Sequence, residues 1–258
     1  MKVVIFAGGL GTRLAEETEL RPKPMVEIGG KPILWHIMKI YSHYGFNDFI
    51  ICLGYKGFFI KEYFMDYYMH NSDMTIELGS NKVDIHYTQT ESFKVTLVDT
   101  GLNTKTAGRL QRIKRYVGDE PFMLTYGDGV CNVNIEELVR FHHQHGKLVT
   151  VTAVQPEARF GGMELSGSDK VEVFKEKPKG DGQWINGGFF VLSPGVFDYL
   201  DEHADQTMWE DQPLESLSKR DQLMAYKHAG FWKCMDAMRD KIELEQLWQS
   251  GDAKWKVW

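Results

Sequence analysis

The chain has 258 residues, of which 43% are hydrophobic and 26% are charged, and its formal net charge is −6. This negative charge argues against a general nucleic-acid binder, because such proteins neutralise phosphates with an excess of Lys and Arg. No apolar run approaches the roughly 20 residues that a membrane-spanning helix needs. The length suffices to bury a sizeable core, so we predict one domain over residues 1–258, with no nucleic-acid or membrane partner.

The three cysteines, Cys52, Cys131 and Cys234, are widely spaced and include no CxxC pair. This pattern favours neither a disulfide framework nor a zinc site. We expect reduced thiols that are mostly buried. Residues 1–6 are typical of a strand and not of a targeting segment, which predicts a cytoplasmic protein.

A glycine-rich loop follows the first predicted strand and reads Phe6-Ala-Gly-Gly-Leu-Gly-Thr-Arg-Leu14. Glycines let backbone N–H groups approach an anion, and Arg13 adds a fork of donors suited to phosphate oxygens. A dinucleotide fingerprint is not matched, because Leu14 stands where its third glycine belongs. A Walker loop fails as well, since no Gly-Lys-Ser/Thr follows. A phosphate cradle and a plain connecting turn are the two remaining interpretations.

A second motif, Arg21-Pro-Lys-Pro-Met25, comes shortly after the loop. Each proline pushes the residue before it toward extended conformations, so we predict that Arg21 and Lys23 project from stiff, non-helical backbone. Such a position suits a catalytic cation. A solvated lysine in a proline-rich loop is the alternative.

The following elements alternate between helix and strand. Apolar residues recur at helical spacing through residues 31–41, and the continuous apolar run at 48–53 is typical of a strand buried on both faces. We predict a second helix at 56–68, strands at 83–87 and 95–99, a surface loop at 102–106 and a helix at 109–116.

The second half of the chain continues this alternation. We predict strands at 121–126, 148–154, 170–174, 184–192 and 223–228, and helices at 135–145, 212–219 and 238–248. Alternating strands and helices imply right-handed crossovers. The sequence therefore predicts an α/β fold: a Rossmann-like mixed, mainly parallel sheet flanked by helices, with small β additions. Ligands of such sheets bind at the carboxyl ends of strands, where the glycine loop lies.

Two aspartates each end an apolar run: Asp128 follows residues 122–127, and Asp236 follows residues 231–235. Mg²⁺ is usually held by one or two carboxylates plus substrate phosphates, so the pair is a candidate metal site. The alternatives are a turn residue for Asp128 and a helix N-cap for Asp236.

These motifs together resemble a known family. Residues 7–14, Pro22-Lys-Pro-Met25 and Gly29-Gly-Lys-Pro32 are similar to the signature of the sugar-1-phosphate nucleotidyltransferases. Glu16-Glu-Thr18 and residues 25–34 are most similar to the cytidylyltransferases of that family that act on glucose 1-phosphate. The likeness continues in blocks to Asp240, and it implies a GT-A-like nucleotidyltransferase fold.

The resemblance assigns roles to the motif residues. It implies that Arg13 and Lys23 are catalytic and neutralise a departing pyrophosphate, and that Asp128 and Asp236 bind Mg²⁺. Nucleotide-binding residues would be Phe6, Ala7, Gly8, Gly9, Leu10, Gly11, Thr12, Arg13, Lys23, Thr104, Arg109 and Gly127.

The base and the sugar have their own expected contacts. Arg109 is expected to donate to the cytosine ring, with Thr104 in the adjoining loop. Sugar-phosphate contacts would come from Glu176, Lys177, Asn186 and Gly187.

The implied reaction transfers CMP from CTP to α-D-glucose 1-phosphate and gives CDP-glucose and pyrophosphate, on a route to deoxysugars of bacterial surface polysaccharide. A UTP- or dTTP-using enzyme and a catalytically silent, nucleotide-binding regulatory paralogue are the alternatives. The resemblance also implies a homo-oligomer, with a hexamer suggested by the family.

Overall fold

The structure is a computed structural model that describes residues 1–156, 162–165, 171–175 and 183–258. Most strands are short. They are β1 (Val3–Phe6), β2 (Glu27–Ile28), β3 (Lys31–Pro32), β4 (Asp48–Leu53), β5 (Ser72–Glu77), β6 (Lys82–Thr88), β7 (Lys94–Asp99), β8 (Phe122–Tyr126), β9 (Gly129–Cys131), β10 (Val149–Val154), β11 (Gly162–Leu165), β12 (Val171–Lys175), β13 (Ile185–Asn186), β14 (Phe190–Leu192), β15 (Leu223–His228) and β16 (Trp232–Cys234).

Helices alternate with these strands. They are α1 (Ala15–Thr18), α2 (Ile33–His43), α3 (Gly57–His70), α4 (Thr106–Arg112), α5 (Lys114–Val117), α6 (Ile135–His145), α7 (Gln212–Lys219) and α8 (Met238–Gln249). Short 3₁₀ helices lie at Thr12–Leu14, Lys23–Met25, Pro194–Tyr199 and Ala204–Gln206. No helix of the described residues is long and apolar enough to cross a membrane.

The described strands include a central sheet of eight. The strand order is β15-β10-β14-β8-β1-β4-β7. The short strand β13 also pairs with β10, along the same edge as β14 but at the other end of that strand. The pairs β1/β4, β1/β8, β4/β7 and β10/β15 are parallel, whereas β14 runs antiparallel to both of its neighbours. The prediction of a mixed, mainly parallel sheet is confirmed, and so are the small β additions, such as the β5/β6 hairpin.

Both faces of the sheet are buried by helices. In β1, Val3 and Ile5 join a core that includes α2, while Val4 and Phe6 join a second core that includes residues of α4 and α7. Burial on both faces explains why β1 and β4 read as continuous apolar runs and not as alternating ones. The first core contains residues from both ends of the chain, such as Val3 and Trp255, and the second extends from Val4 to Leu217. That a single domain covers residues 1–258 stays a prediction.

Several predicted bounds are confirmed, including those of β4, α6, α7 and β15. The helix predicted at 109–116 is instead two short helices, α4 and α5. The strand predicted at 184–192 is also split, because Gly188 (φ 73°) and Phe189 (φ 47°) adopt left-handed backbone between β13 and β14. All three cysteines are free thiols, and Cys52 and Cys131 are buried, as predicted.

His36 on α2 is fully buried among tryptophans, with Trp248 and Trp255 from the C-terminal end at its ring. Its Nε2–H donates to the Ile28 carbonyl (2.8 Å), and its Nδ1 accepts from Trp255 Nε1 (3.4 Å). Only the neutral ring satisfies both contacts. Burial lowers the pKa of His36 from 6.5 to about 4.

We therefore expect the free energy of unfolding to fall on acidification. The unfolded chain binds a proton at this histidine below pH 6.5 while the folded chain does not, so stability is lost as the pH falls from 6.5 towards 4. The loss at pH 5 should be about 2 kcal/mol from this residue. Urea unfolding at pH 7.5 and pH 5 measures it.

His36→Gln keeps an N–H donor for the Ile28 carbonyl but does not titrate, so its stability should depend less on pH. His43→Gln, at the exposed end of the same helix, is the matched control. Equal pH dependence in wild type and His36→Gln would contradict the assignment.

Candidate active site

The glycine loop crosses the carboxyl ends of β1 and β4. Ala7 N–H donates to the Cys52 carbonyl (3.0 Å), and Tyr55 N–H donates to the Gly8 carbonyl (3.1 Å). A Cβ at Gly9 would meet nothing within 4 Å, so its backbone is open to a ligand. Gly11 adopts φ 66° and packs against Thr18 and Lys23, where a Cβ would approach within 2.8 and 3.2 Å.

The loop forms one wall of a cavity of about 560 Å³, a volume typical of a small-molecule site. Twelve of the sequence-predicted site residues line it: Phe6, Ala7, Gly8, Gly9, Leu10, Gly11, Thr12, Lys23, Thr104, Arg109, Gly127 and Asp128. The fold thus brings together residues more than 100 positions apart in the chain.

Lys23 does not project from extended backbone, and that prediction was wrong. Lys23–Met25 is a single 3₁₀ turn closed by Met25 N–H donating to the Pro22 carbonyl (2.8 Å). Pro22 is extended (φ −67°, ψ 148°), and Pro24 fits inside the turn because the φ that its ring imposes suits a helical residue. The turn leaves Lys23 and Pro24 on the cavity wall.

One ammonium group joins the two candidate metal-binding aspartates. Lys23 Nζ lies 2.6 Å from Asp128 Oδ2 and 2.7 Å from Asp236 Oδ1. Arg13, whose side chain is 80% exposed, lies outside the cavity lining and reaches Asp236 Oδ2 at 3.3 Å. Four predicted site residues therefore form one charged cluster beside the glycine loop.

A short ladder explains why these aspartates meet. β9 and β16 pair antiparallel, with Gly129 opposite Cys234, and Met235 N–H donates to the Asp128 carbonyl (2.8 Å). Asp236 is not the N-cap of α8, because Ala237 occupies that position. The backbone N–H groups of Asp236 and Ala237 both donate to Asp240 Oδ2. Its carboxylate remains available to the cluster.

The charges shift the titration of both partners. Burial alone would lower the pKa of Lys23, but the charges and hydrogen bonds of Asp128 and Asp236 outweigh it, and the pKa is raised above 10.5. Burial would raise the pKa of Asp236, yet Lys23 and Arg13 hold it below its usual value of 3.8. Lys23 and Asp236 are therefore both ionised at neutral pH.

The same donors fit a hard divalent cation. Two carboxylates converge on one point that already holds a positive charge, and the side chains of Asp128 and Asp236 are 29% and 32% exposed. No group of three His, Cys, Asp or Glu suited to a metal occurs in the described part of the chain. An ion here would take its remaining ligands from water and phosphate oxygens, as Mg²⁺ commonly does.

Arg109 is only 4% exposed, and its guanidinium is occupied by protein groups. It donates to the carbonyls of Gly8 (2.9 Å) and Leu53 (2.9 Å), to Thr100 Oγ1 (2.7 Å) and, less closely, to the Leu102 carbonyl (3.4 Å). A Cβ at Gly8 would lie 2.1 Å from its Nη1. Arg109 therefore clamps the glycine loop to the strand ends while lining the cavity.

The sugar-side predictions lie partly outside the described residues. Glu176 and Lys177 fall in the segment 176–182, which the structure does not describe. Asn186 and Gly187 do not line the cavity itself, but Asn186 Nδ2 donates to the hydroxyl of Tyr126 (3.1 Å), which does.

Sequence reasoning missed other cavity residues, among them Thr106, Tyr126 and Met208. Tyr126 carries a usable signal, since it directly precedes Gly127-Asp128 at a strand exit. Met208 carries none, because it reaches the site only through the packing of residues 204–210 against the start of α4.

A glycine loop at parallel strand ends, placed beside a lysine shared by two carboxylates, is the architecture of an α/β enzyme that handles nucleotide phosphates. Residues 2–245 match the Nucleotidyl transferase family, and the chain belongs to it.

Relatives agree with this assignment over the full length. The chain is 55% identical over 259 residues to "Glucose-1-phosphate cytidylyltransferase" of Salmonella typhi, covering 100% of both. It is 47% identical to "Probable glucose-1-phosphate cytidylyltransferase" of Bacillus subtilis, again covering 100% of both. A crystal structure of UDP-glucose pyrophosphorylase complexed with UDP-glucose has the same fold, with a TM-score of 0.68 at 17% identity, covering 97% of this chain and 98% of that one.

We expect Gly11→Ala to impair both stability and activity. A Cβ at φ 66° costs about 1–2 kcal/mol, and its contact with Lys23 would displace the ammonium from the two aspartates. Chemical denaturation and steady-state kinetics measure the two effects.

Gly146→Ala is the matched control, because Gly146 has φ 63° but a Cβ there would meet nothing within 4 Å. It should lose similar stability and keep its kcat/KM. Equal kinetics in the two variants would show that the packing of Gly11 against Lys23 does not matter.

Proposed function

We propose that the chain is a glucose-1-phosphate cytidylyltransferase that joins CTP and α-D-glucose 1-phosphate to give CDP-glucose and pyrophosphate. The observation that carries the chemistry is the sharing of Lys23 between Asp128 and Asp236 beside an open glycine loop. The nucleotide and the sugar are taken from the 55% identical relative that carries this name.

The nucleophile needs no general base. A phosphate monoester has its second pKa near 6, so glucose 1-phosphate is largely a dianion at neutral pH. One of its oxygens bonds to the α-phosphorus of CTP, while the bond from that phosphorus to the β-bridging oxygen breaks. The protein must hold two mutually repelling anions in line and stabilise the departing pyrophosphate.

The cations of the cluster meet this demand. Lys23 and Arg13 supply positive charge beside the glycine loop, whose N–H groups are suited to the triphosphate. Asp128 and Asp236 would hold Mg²⁺, which screens phosphate oxygens when bound. With phosphates bound, Lys23 would donate to phosphate oxygens in place of its carboxylate partners.

The base and the hexose contact opposite parts of the site in this proposal. Cytosine lies against Thr104 and Arg109, and the long Leu102 contact of Arg109 (3.4 Å) is the one that yields a donor to the ring. Glu176, Lys177, Asn186 and Gly187 bind the sugar phosphate, with Lys177 as the phosphate partner.

A panel of CTP, UTP, dTTP and GTP with glucose 1-phosphate and Mg²⁺ tests the proposal. CTP turnover should exceed the others by at least about a hundredfold, because a site built to hydrogen-bond one base leaves groups unpaired with another. A preference for UTP or dTTP would reassign the nucleotide. Absence of turnover with all four would favour a silent regulatory paralogue.

The variant Lys23→Ala measures how much the turnover of CTP depends on the Lys23 ammonium group. Loss of its charge should lower kcat about 10²–10³-fold, the range for removing one transition-state donor. The matched control is Lys94→Ala. Lys94 lies on the edge strand β7 and forms an exposed ion pair with Asp48 of β4, so this variant should turn over as wild type does.

We further propose a homo-oligomer, with a hexamer implied by the family resemblance, that works in the cytoplasm, where CTP is made. The β5/β6 hairpin supports self-association, since five of its apolar residues are exposed and two-stranded hairpins are marginal alone: Ile76, Leu78, Val83, Ile85 and Tyr87. Light scattering should give a multiple of the chain mass, reduced in Val83→Glu. A monomeric wild type would contradict this.

A further inference from the structure

Glu210 connects two walls of the cavity without bordering it. Its Oε2 accepts a hydrogen bond from Thr106 Oγ1 (2.8 Å), and its Oε1 accepts one from the hydroxyl of Tyr126. Both partners line the cavity, whereas Glu210 does not. Glu210 therefore acts on the site only through these two side chains.

Each partner lies on a different wall of the cavity. Thr106 lies on what we call the nucleotide wall and Tyr126 on what we call the sugar wall, after the substrates proposed above. Thr106 begins α4, directly after the loop that lines the proposed nucleotide side, and its Oγ1 also accepts from Trp209 N–H (2.7 Å). Tyr126 ends β8, immediately before Gly127 and Asp128. Thr106 and Tyr126 are 20 residues apart in sequence, one at the start of a helix and the other at the end of a strand.

The chain of donors extends to the sugar side. Asn186 Nδ2 donates to the Tyr126 hydroxyl (3.1 Å), and Asn186 Oδ1 accepts from Gly188 N–H (2.8 Å). The Asn186 amide N–H can only donate a hydrogen bond and the Glu210 carboxylate can only accept one, so the Tyr126 hydroxyl between them accepts from the first and donates to the second. The direction is therefore fixed: Asn186 donates to Tyr126, which donates to Glu210.

Glu210 is an acidic residue beside a site for polyanions, where a carboxylate disfavours the substrates. Its place is explained by the two hydroxyls, because a carboxylate is acceptor-only and can take both at once. A neutral amide could accept one of them well but not both.

We propose that Glu210 is a positioning residue that holds Thr106 and Tyr126, and through Tyr126 also Asn186, in one arrangement, so that the nucleotide wall and the sugar wall are set together. This inference rests on the proposed function for the naming of the two walls. Loss of Glu210 should therefore impair use of both substrates, although it touches neither.

Thr106→Val gives the sharpest readout. Thr106 lies on the nucleotide wall, yet its loss should raise the KM for glucose 1-phosphate about as much as Tyr126→Phe does, because both break the same link. A merely structural threonine would alter the melting temperature and leave that KM unchanged.

A double-mutant cycle measures the coupling. Glu210→Ala should lower kcat/KM by about a hundredfold in the wild-type background but by no more than about threefold in Tyr126→Phe, since coupled residues are not additive. Glu210→Gln, which retains one acceptor, should recover part of the loss. Glu215→Ala, an exposed carboxylate of α7 paired with Lys219, is the matched control.

Independent effects of Glu210→Ala and Tyr126→Phe, or wild-type kinetics in Glu210→Gln and Thr106→Val, would overturn the proposal. For the same variants we also measure the increase in melting temperature that CTP with Mg²⁺ produces. This measurement reports binding and does not depend on turnover. An inactive wild type would reject the proposed function alone. An active wild type with additive variants would reject only the role of Glu210.

Discussion

The site depends on one interaction, the sharing of the Lys23 ammonium between Asp128 and Asp236. Two carboxylates this close repel each other, and a single cation between them removes the cost of their proximity. The same balance supports the proposed chemistry, because carboxylates that bind an ammonium group could also bind a divalent ion, and the ammonium group could then bind a phosphate oxygen. Arg13 adds a second, exposed positive charge, which reaches Asp236.

The parallel sheet supplies the frame for this cluster. The carboxyl ends of β1, β4 and β8 meet at one edge, so the loops after them converge there. Arg109 fastens that edge by donating to carbonyls on three of its segments. Arg109 was predicted from the sequence to recognise a base, and the structure shows that it clamps the glycine loop, so its removal would disturb the fold of the site.

In the proposed role, Glu210 also ties separate segments of the cavity together, here the start of α4 and the end of β8. Both hydroxyls that it accepts come from residues facing the cavity, and an acceptor-only group suits two donors better than any neutral side chain would. Positioning of this kind costs some substrate affinity, since the charge is unfavourable near phosphates. It gains a defined geometry between side chains of two separate elements, a helix and a strand.

The sequence alone determined the α/β class, the buried strands and the glycine loop, because apolar periodicity and glycine conformation are local properties. It also indicated Lys23, Asp128 and Asp236, through motifs that resemble a family. Only the tertiary structure decided that these three side chains share one point, that Lys23 lies in a 3₁₀ turn, and that the Glu210 carboxylate bridges Thr106 and Tyr126. Contacts between residues 100 or more positions apart leave no periodic signal, since packing creates them and no local propensity does.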